Sequence, residues 1–220
     1  MTQALWICRL AVFLALMPGH WLAAALLWGA GDCWRRWAGR SGQRLLDVAM
    51  DPVLVRAGMA CVPLLLDDAK AKGKANAGFS GPPWRRMLVL SPALRAGLDE
   101  DQRAAVLAHE AGHCRLRHEE MWLAGGTLFW AALLGGMAAL GDPLLMPLAA
   151  LAGWGIARLS QPLLAALRRR WELEADAYAA SIVGAAAMAS ALRRLERING
   201  PVRSPFHPPL EERLSRLSAA

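Results

Sequence analysis

Two clusters of metal-ligating side chains, His109-Glu110-Ala111-Gly112-His113 and Glu172-Leu173-Glu174-Ala175-Asp176, are separated by an apolar segment, residues 121 to 167, whose only charges are Asp142 and Arg158. A fold that brings the clusters to one metal must return the chain to its starting side, so this segment crosses a membrane an even number of times or not at all. Gly141-Asp142-Pro143 is a turn signal near its middle, and the segment reads as a helical hairpin. The first arm, about Trp122 to Leu140, has roughly the 20 apolar residues that a bilayer requires. The second, from Leu144, meets Arg158 early and is short, tilted or turned toward a wet cavity. A buried hairpin in a soluble protein is the alternative.

The first cluster lies in a run of helix formers. Asp99, with Gln102 three residues on, reads as an N-cap with a capping box, and Glu100 to His118 contains no Pro and one Gly. At i and i+4 of a helix, His109 and His113 share a face and suit one metal ion, and Glu110 stands beside it. In that arrangement zinc lowers the pKa of a bound water and a carboxylate takes the proton. Two His ligands leave room for a third protein ligand and an open position, and Glu172 is the expected third. Asp176, four residues on, shares its face and is placed to accept from the free ring nitrogen of a ligating His, whereas Glu174 points roughly the opposite way. A chance match, with Glu172 and Asp176 forming a solvated acidic face opposite Arg168, Arg169 and Arg170, is the competing explanation.

A hydrophobic content of 55% and a mean hydropathy of +0.26 exceed the usual soluble values. Residues 4 to 31 read as a first span, with Arg9 near its start and a kink at Pro18-Gly19-His20; a cleaved signal peptide ending near Ala23-Ala24-Ala25 is the alternative. The basic flank Arg35, Arg36 and Arg40 places the chain beyond this span in the cytoplasm, and two crossings by the hairpin would set Arg168 to Arg170 on that same side. The net charge is +7, but the basic residues cluster beside apolar runs rather than in a stripe with interleaved aromatics, which fits anionic lipid headgroups and excludes nucleic acid as the expected partner. Cys8, Cys33, Cys61 and Cys114 form no CxxC pair and suggest neither disulfides nor a thiolate metal site. Between the first span and the motif helix, Val62 to Leu66 and Met87 to Leu90 read as two short strands around a Lys-, Gly- and Asn-rich loop, one of them able to present its edge to an extended peptide. Val53 to Leu66 is a weak candidate for a further span, because Arg56 and Pro63 interrupt it. The tail carries Pro205-Phe206-His207-Pro208-Pro209 and then a short amphipathic helix.

HEAGH followed by His118, an apolar hairpin, Trp171 to Asp176, and His207-Pro208-Pro209-Leu210-Glu211-Glu212-Arg213-Leu214 together resemble the membrane metallopeptidases of the HtpX heat-shock and CAAX prenyl protease family, over roughly Asn76 to Leu217. The resemblance implies a mainly α membrane protein with a zincin-like (gluzincin) α+β core, a small edge sheet and transmembrane helices. It implies one zinc per chain on His109, His113 and Glu172, Glu110 as general base, Asp176 behind the ligands, and His207 or Arg213 steadying the tetrahedral intermediate. The expected organisation is an anchor at 1–31, a basic, strand-containing region at 32–98, and a protease core at 99–220 interrupted by the hairpin at 121–167. The chain is shorter than larger members and has one helix before the catalytic part where HtpX has two. A membrane zinc endopeptidase acting on membrane or membrane-adjacent proteins is the leading expectation, in the bacterial inner membrane with its site facing the cytoplasm. A sensor-transducer similar to BlaR and MecR, or a silent scaffold, are the others; the intact Glu110 speaks against the scaffold. Substrate and oligomeric state are not legible.

Overall fold

The structure is a computed structural model that describes residues 45–46, 52–59, 64–66, 73–80, 86–140, 146–202 and 204–219. The expected first span at 4–31, the Arg35, Arg36 and Arg40 flank and the Gly141-Asp142-Pro143 turn lie outside them. The described residues form two compact units, one of Glu119–Leu163 and the other of the residues up to His118 together with those from Leu164 onward.

The second unit is built on a four-stranded sheet of β1 (Leu45–Leu46), β2 (Leu64–Leu66), β3 (Ala77–Ser80) and β4 (Met87–Leu90), in the order β1-β2-β4-β3. β2 and β4 are parallel, whereas β3 runs antiparallel to β4 with Ala77 opposite Leu90 and Ser80 opposite Met87. The sequence leads one to expect two strands here, with residues 77–80 in the intervening loop. Pairing with β4 recruits them, although Ala77 and Gly78 have little strand preference of their own. Along β4, Leu88 and Leu90 are buried and their neighbours half-buried, the alternation of a strand with one face on the core. The weak candidate for a span at 53–66 is instead a short helix α1 (Pro52–Arg56) followed by β2.

Two helices follow β4 through side-chain caps. Ser91 Oγ accepts from the Leu94 amide at the start of α2 (Pro92–Gly97), where Pro92 sits in the first turn and loses no hydrogen bond. Asp99 caps α3 (Glu100–Arg115) by accepting from the Gln102 amide at 2.9 Å, and the Gln102 side chain returns to the Asp99 amide. α3 ends at Arg115, short of the expected run to His118, because Arg117 adopts φ 59° and a new helix begins at His118. α6 (Gln161–Val183), α7 (Ala185–Asn199) and α8 (Leu210–Ser218) complete the unit, and Gln102 ties α3 to α7 through Ser190 Oγ at 3.1 Å.

The contact that matters most for the site is α3 against α6. Ala105, Ala108, Ala111 and Gly112 on α3, and Ala175 and Ala179 on α6, are all buried. A Cβ at Gly112 would stand 3.2 Å from the Ala175 Cα and from Tyr178 Cδ1, and 3.3 Å from the Ala175 carbonyl oxygen. Glycine at this position therefore lets the two backbones approach closely, one turn from Glu172.

In the first unit α4 (His118–Leu140) and α5 (Met146–Leu159) form a helical pair, and at Gly153 an added Cβ would lie 2.6 Å from Leu133. Large apolar side chains face outward, with Trp154 64% and Leu159 83% exposed, alongside Leu128, Trp130 and Ile156. Among the described residues no helix is long and apolar enough to cross a membrane, in contrast to the two crossings expected for the hairpin. α5 has 14 residues, about 21 Å against a hydrocarbon core of about 30 Å. The last part of the expected hairpin, from Gln161, is already the helix that carries Glu172.

Candidate metal centre

α3 presents His109, Glu110 and His113, α6 presents Glu172, Glu174 and Asp176, the loop between α7 and α8 His207, and α8 Arg213. One ligand atom each from His109, His113 and Glu172 lies within 4.8 Å of the others. His109 Nε2 and His113 Nε2 are 3.2 Å apart, His113 Nε2 is 3.5 Å from Glu172 Oε1, and His109 Nε2 is 3.7 Å from Glu172 Oε2. Donors bound tetrahedrally to zinc at about 2.05 Å stand about 3.4 Å from one another, so the three separations suit such an ion. The chemistry of the set agrees, since two imidazoles and a carboxylate suit zinc among the biological divalent ions.

His109 is held from behind. Asp176, 2% exposed, lies 2.8 Å from His109 Nδ1, which donates to it and leaves the Nε2 lone pair facing the centre. Arg213 grips the same carboxylate with both prongs, Nε to Oδ2 and Nη2 to Oδ1 at 2.6 Å each, and its Nη2 is 3.9 Å from Glu172 Oε2. Burial works against ionisation of Asp176, but the hydrogen bonds and charges of Arg213 and His109 outweigh it and lower its pKa. The Arg213 guanidinium, opposed by burial, is correspondingly raised by Asp176. Glu172 is likewise held well below the usual carboxylate range: burial resists, and bonds to His113 and His207 with the fields of His109 and His113 prevail. For His113, burial favours the neutral ring, yet the Glu172 hydrogen bond and the charges of Glu110, Glu172 and Asp176 raise the pKa.

His207 Nδ1 stands 3.1 Å from Glu172 Oε2 with its side chain 45% exposed, so the Pro-rich loop reaches the centre. Glu110 is half-buried and lines a cavity of about 250 Å³ together with His109, Glu172, His207 and Arg213. Elsewhere the cavity wall has an apolar stretch of Val106, Met188, Leu192 and Leu195 beside the polar Glu196 and Asn199, and it includes Ala75, Asn76 and Ala77 at the start of β3, an edge strand of the sheet.

Two residues to which the sequence assigns no role, His118 and Glu174, also come in. His118, 3% exposed, places Nδ1 at 3.0 Å from His113 Nδ1 and Nε2 at 3.3 Å from Glu174 Oε2. Its ring stacks on Trp171 with centroids 5.1 Å apart and planes at 10°. Glu174 turns away from His109 and Glu172, toward His118 and Arg170 rather than simply into solvent. The signal for their part in the site is a third His just beyond the motif, where the sequence places the end of the helix.

A family model, Peptidase family M48, matches residues 45–220, which includes every residue of this centre. No curated protein matches the chain closely. Among solved structures, the crystal structure of S. mikatae Ste24p superposes with a TM-score of 0.71 at 18% identity, covering 98% of this chain and 66% of that one. The chain thus spans slightly less than two thirds of the length of that protein, and at this identity the likeness speaks for the fold. The match over most of the chain places it in peptidase family M48: it belongs to a family of metallopeptidase hydrolases.

Proposed function

We propose that this chain is a membrane-bound zinc endopeptidase, with His109, His113 and Glu172 as the metal ligands and Glu110 as the general base. The observation that carries the reading is the convergence of three donor atoms within 4.8 Å beside a carboxylate on the wall of the same cavity. A zinc ion bound there would lower the pKa of its water to about 7 and polarise the scissile carbonyl. Glu110 accepts the proton of the attacking water and returns it to the leaving amine. Asp176 keeps the His109 proton on Nδ1, and Arg213 fixes Asp176; with Nε and Nη2 spent on that carboxylate, Arg213 positions the site more than it touches substrate. His207, on the open side, is the group available to donate to the developing oxyanion.

A peptide laid along the edge of β3 gains backbone hydrogen bonds without a sequence requirement, and the wall of Val106, Met188, Leu192 and Leu195 favours an apolar side chain beside the scissile bond. Attachment to a membrane is supported by the outward-facing Leu128, Trp130, Trp154, Ile156 and Leu159, which water does not favour. Arg168, Arg169 and Arg170, just after the apolar segment, favour the cytoplasmic face of a bacterial inner membrane. Membrane or membrane-adjacent proteins are then the substrates.

The test is Glu110→Gln in detergent-purified protein. The variant should keep its zinc and melting temperature and lose cleavage of an unfolded protein substrate by at least a hundredfold. Undiminished cleavage would refute the assignment of the base.

A further inference from the structure

The proposed centre accounts for what holds His109 from behind but assigns no such backing to His113. The structure offers a second anchor. We infer that His118 is a positioning residue for His113, linking its ring to the Glu174 carboxylate through a fixed order of protons; the inference rests on the ligand assignment above.

The order follows from hydrogen-bond accounting. His113 Nε2 points to the cluster of donor atoms, 3.2 Å from His109 Nε2 and 3.5 Å from Glu172 Oε1, and as a ligand it must offer a lone pair there. A neutral imidazole has one N–H, so the proton of His113 sits on Nδ1. At 3.0 Å that N–H meets His118 Nδ1, which must be the acceptor. The proton of His118 is therefore on Nε2, which donates to Glu174 Oε2 at 3.3 Å, while Glu174 Oε1 accepts from Arg170 Nε at 2.7 Å. One choice at the metal end dictates every proton along the chain.

The fold makes this contact by local means. Along a continuous helix, a residue five positions on is turned by about 140° from the first, so His118 would leave the His113 face. Arg117, at φ 59°, breaks the helix between them, in a conformation that non-glycine residues seldom adopt. Stacking on Trp171, itself 8% exposed, then fixes the His118 ring plane with both nitrogens in use. The two ligand histidines thus share one plan: His109 is backed directly by Asp176 and Arg213, His113 through an extra imidazole by Glu174 and Arg170. The second chain ends nearer solvent, with the Glu174 side chain 37% and that of Arg170 77% exposed against 2% for Asp176, so its influence is the weaker.

The experiment measures zinc affinity by chelator competition at pH 8, with the melting temperature of the metal-free protein measured in parallel. His118→Phe keeps the stacked ring but removes both nitrogens, and zinc affinity should fall 10- to 100-fold. His118→Asn can set Oδ1 where Nδ1 was, and should recover most of that loss even though it packs less well on Trp171 and melts lower. A purely structural His118 predicts the opposite ranking, with affinity following melting temperature; that ranking, or undiminished affinity in His118→Phe, overturns the inference. If His118→Phe fails to fold, imidazole nitrogen shifts of the zinc-loaded wild type decide: a proton on His118 Nε2 with a bare Nδ1 supports the relay, and the reverse tautomer refutes it. His113→Ala is the control. If it binds zinc as tightly as wild type, the ligand assignment itself is wrong and the relay falls with it.

Discussion

Replacing Gly112 with Ala separates the stability of the fold from the precision of its metal centre. The new Cβ would lie 3.2 Å from the Ala175 Cα and 3.3 Å from its carbonyl oxygen, atoms of α6 backbone that cannot rotate away. Restoring ordinary carbon contacts near 3.7 Å requires the helices to part by about 0.5 Å. Ala gains about 1 kcal/mol over Gly in a helix interior, and overpacking costs about 1–3 kcal/mol. The net loss of stability is therefore small, about 0–2 kcal/mol. Glu172 rides on α6 one turn from the contact, and its carboxylate already stands at 3.5 and 3.7 Å from the two imidazoles. A further half ångström reaches the tolerance of such constellations, so zinc affinity and peptide hydrolysis should each fall about tenfold. Urea unfolding of the metal-free protein and chelator competition read the two effects separately. A Gly112→Ala protein more stable than wild type with unchanged zinc affinity would refute the close-approach argument.

Arg213→Ala strips the bidentate partner from a carboxylate that is 2% exposed, and should destabilise the metal-free protein by about 3 kcal/mol, read by urea unfolding; a loss under 1 kcal/mol would mean that Asp176 is solvated. Zinc binding should also weaken with acid at an unusually high pH. Zinc takes the neutral imidazole and His113 has a pKa raised above 6.5, so the proton competes from above that value and affinity falls up to tenfold per pH unit below it. Calorimetric titration across pH 5.5 to 8.5 measures this, and an onset below 6.5 would contradict the field assigned to Glu172, Glu110 and Asp176.

The parts of the fold and site that can be read from sequence are those fixed by local geometry. The Asp99 and Gln102 cap sets the start of α3, and the four-residue spacings of His109 with His113 and of Glu172 with Asp176 put each pair on one helical face. The rest depends on partners distant in sequence. β3 is a strand because β4 offers a ladder, and no run of β-branched residues announces it. The end of α3 carries no glycine, so the break at Arg117 is hidden and with it the approach of His118 to His113. Glu174 is turned about 200° from Glu172 on its helix, and only the tertiary position of His118 gives that direction a purpose. Between Met121 and Leu167 composition alone suggests two crossings, whereas the helix lengths follow from where turns fall: α5 ends after 14 residues and a new helix begins at Gln161.

The most direct test of the account is the zinc content of detergent-purified wild type, Glu172→Ala and Glu174→Ala, prepared without chelators and measured by elemental analysis. The account predicts about one zinc per chain in wild type and in Glu174→Ala, the latter with lower affinity, and none in Glu172→Ala. Wild type without zinc, or Glu172→Ala with a full complement, would contradict it.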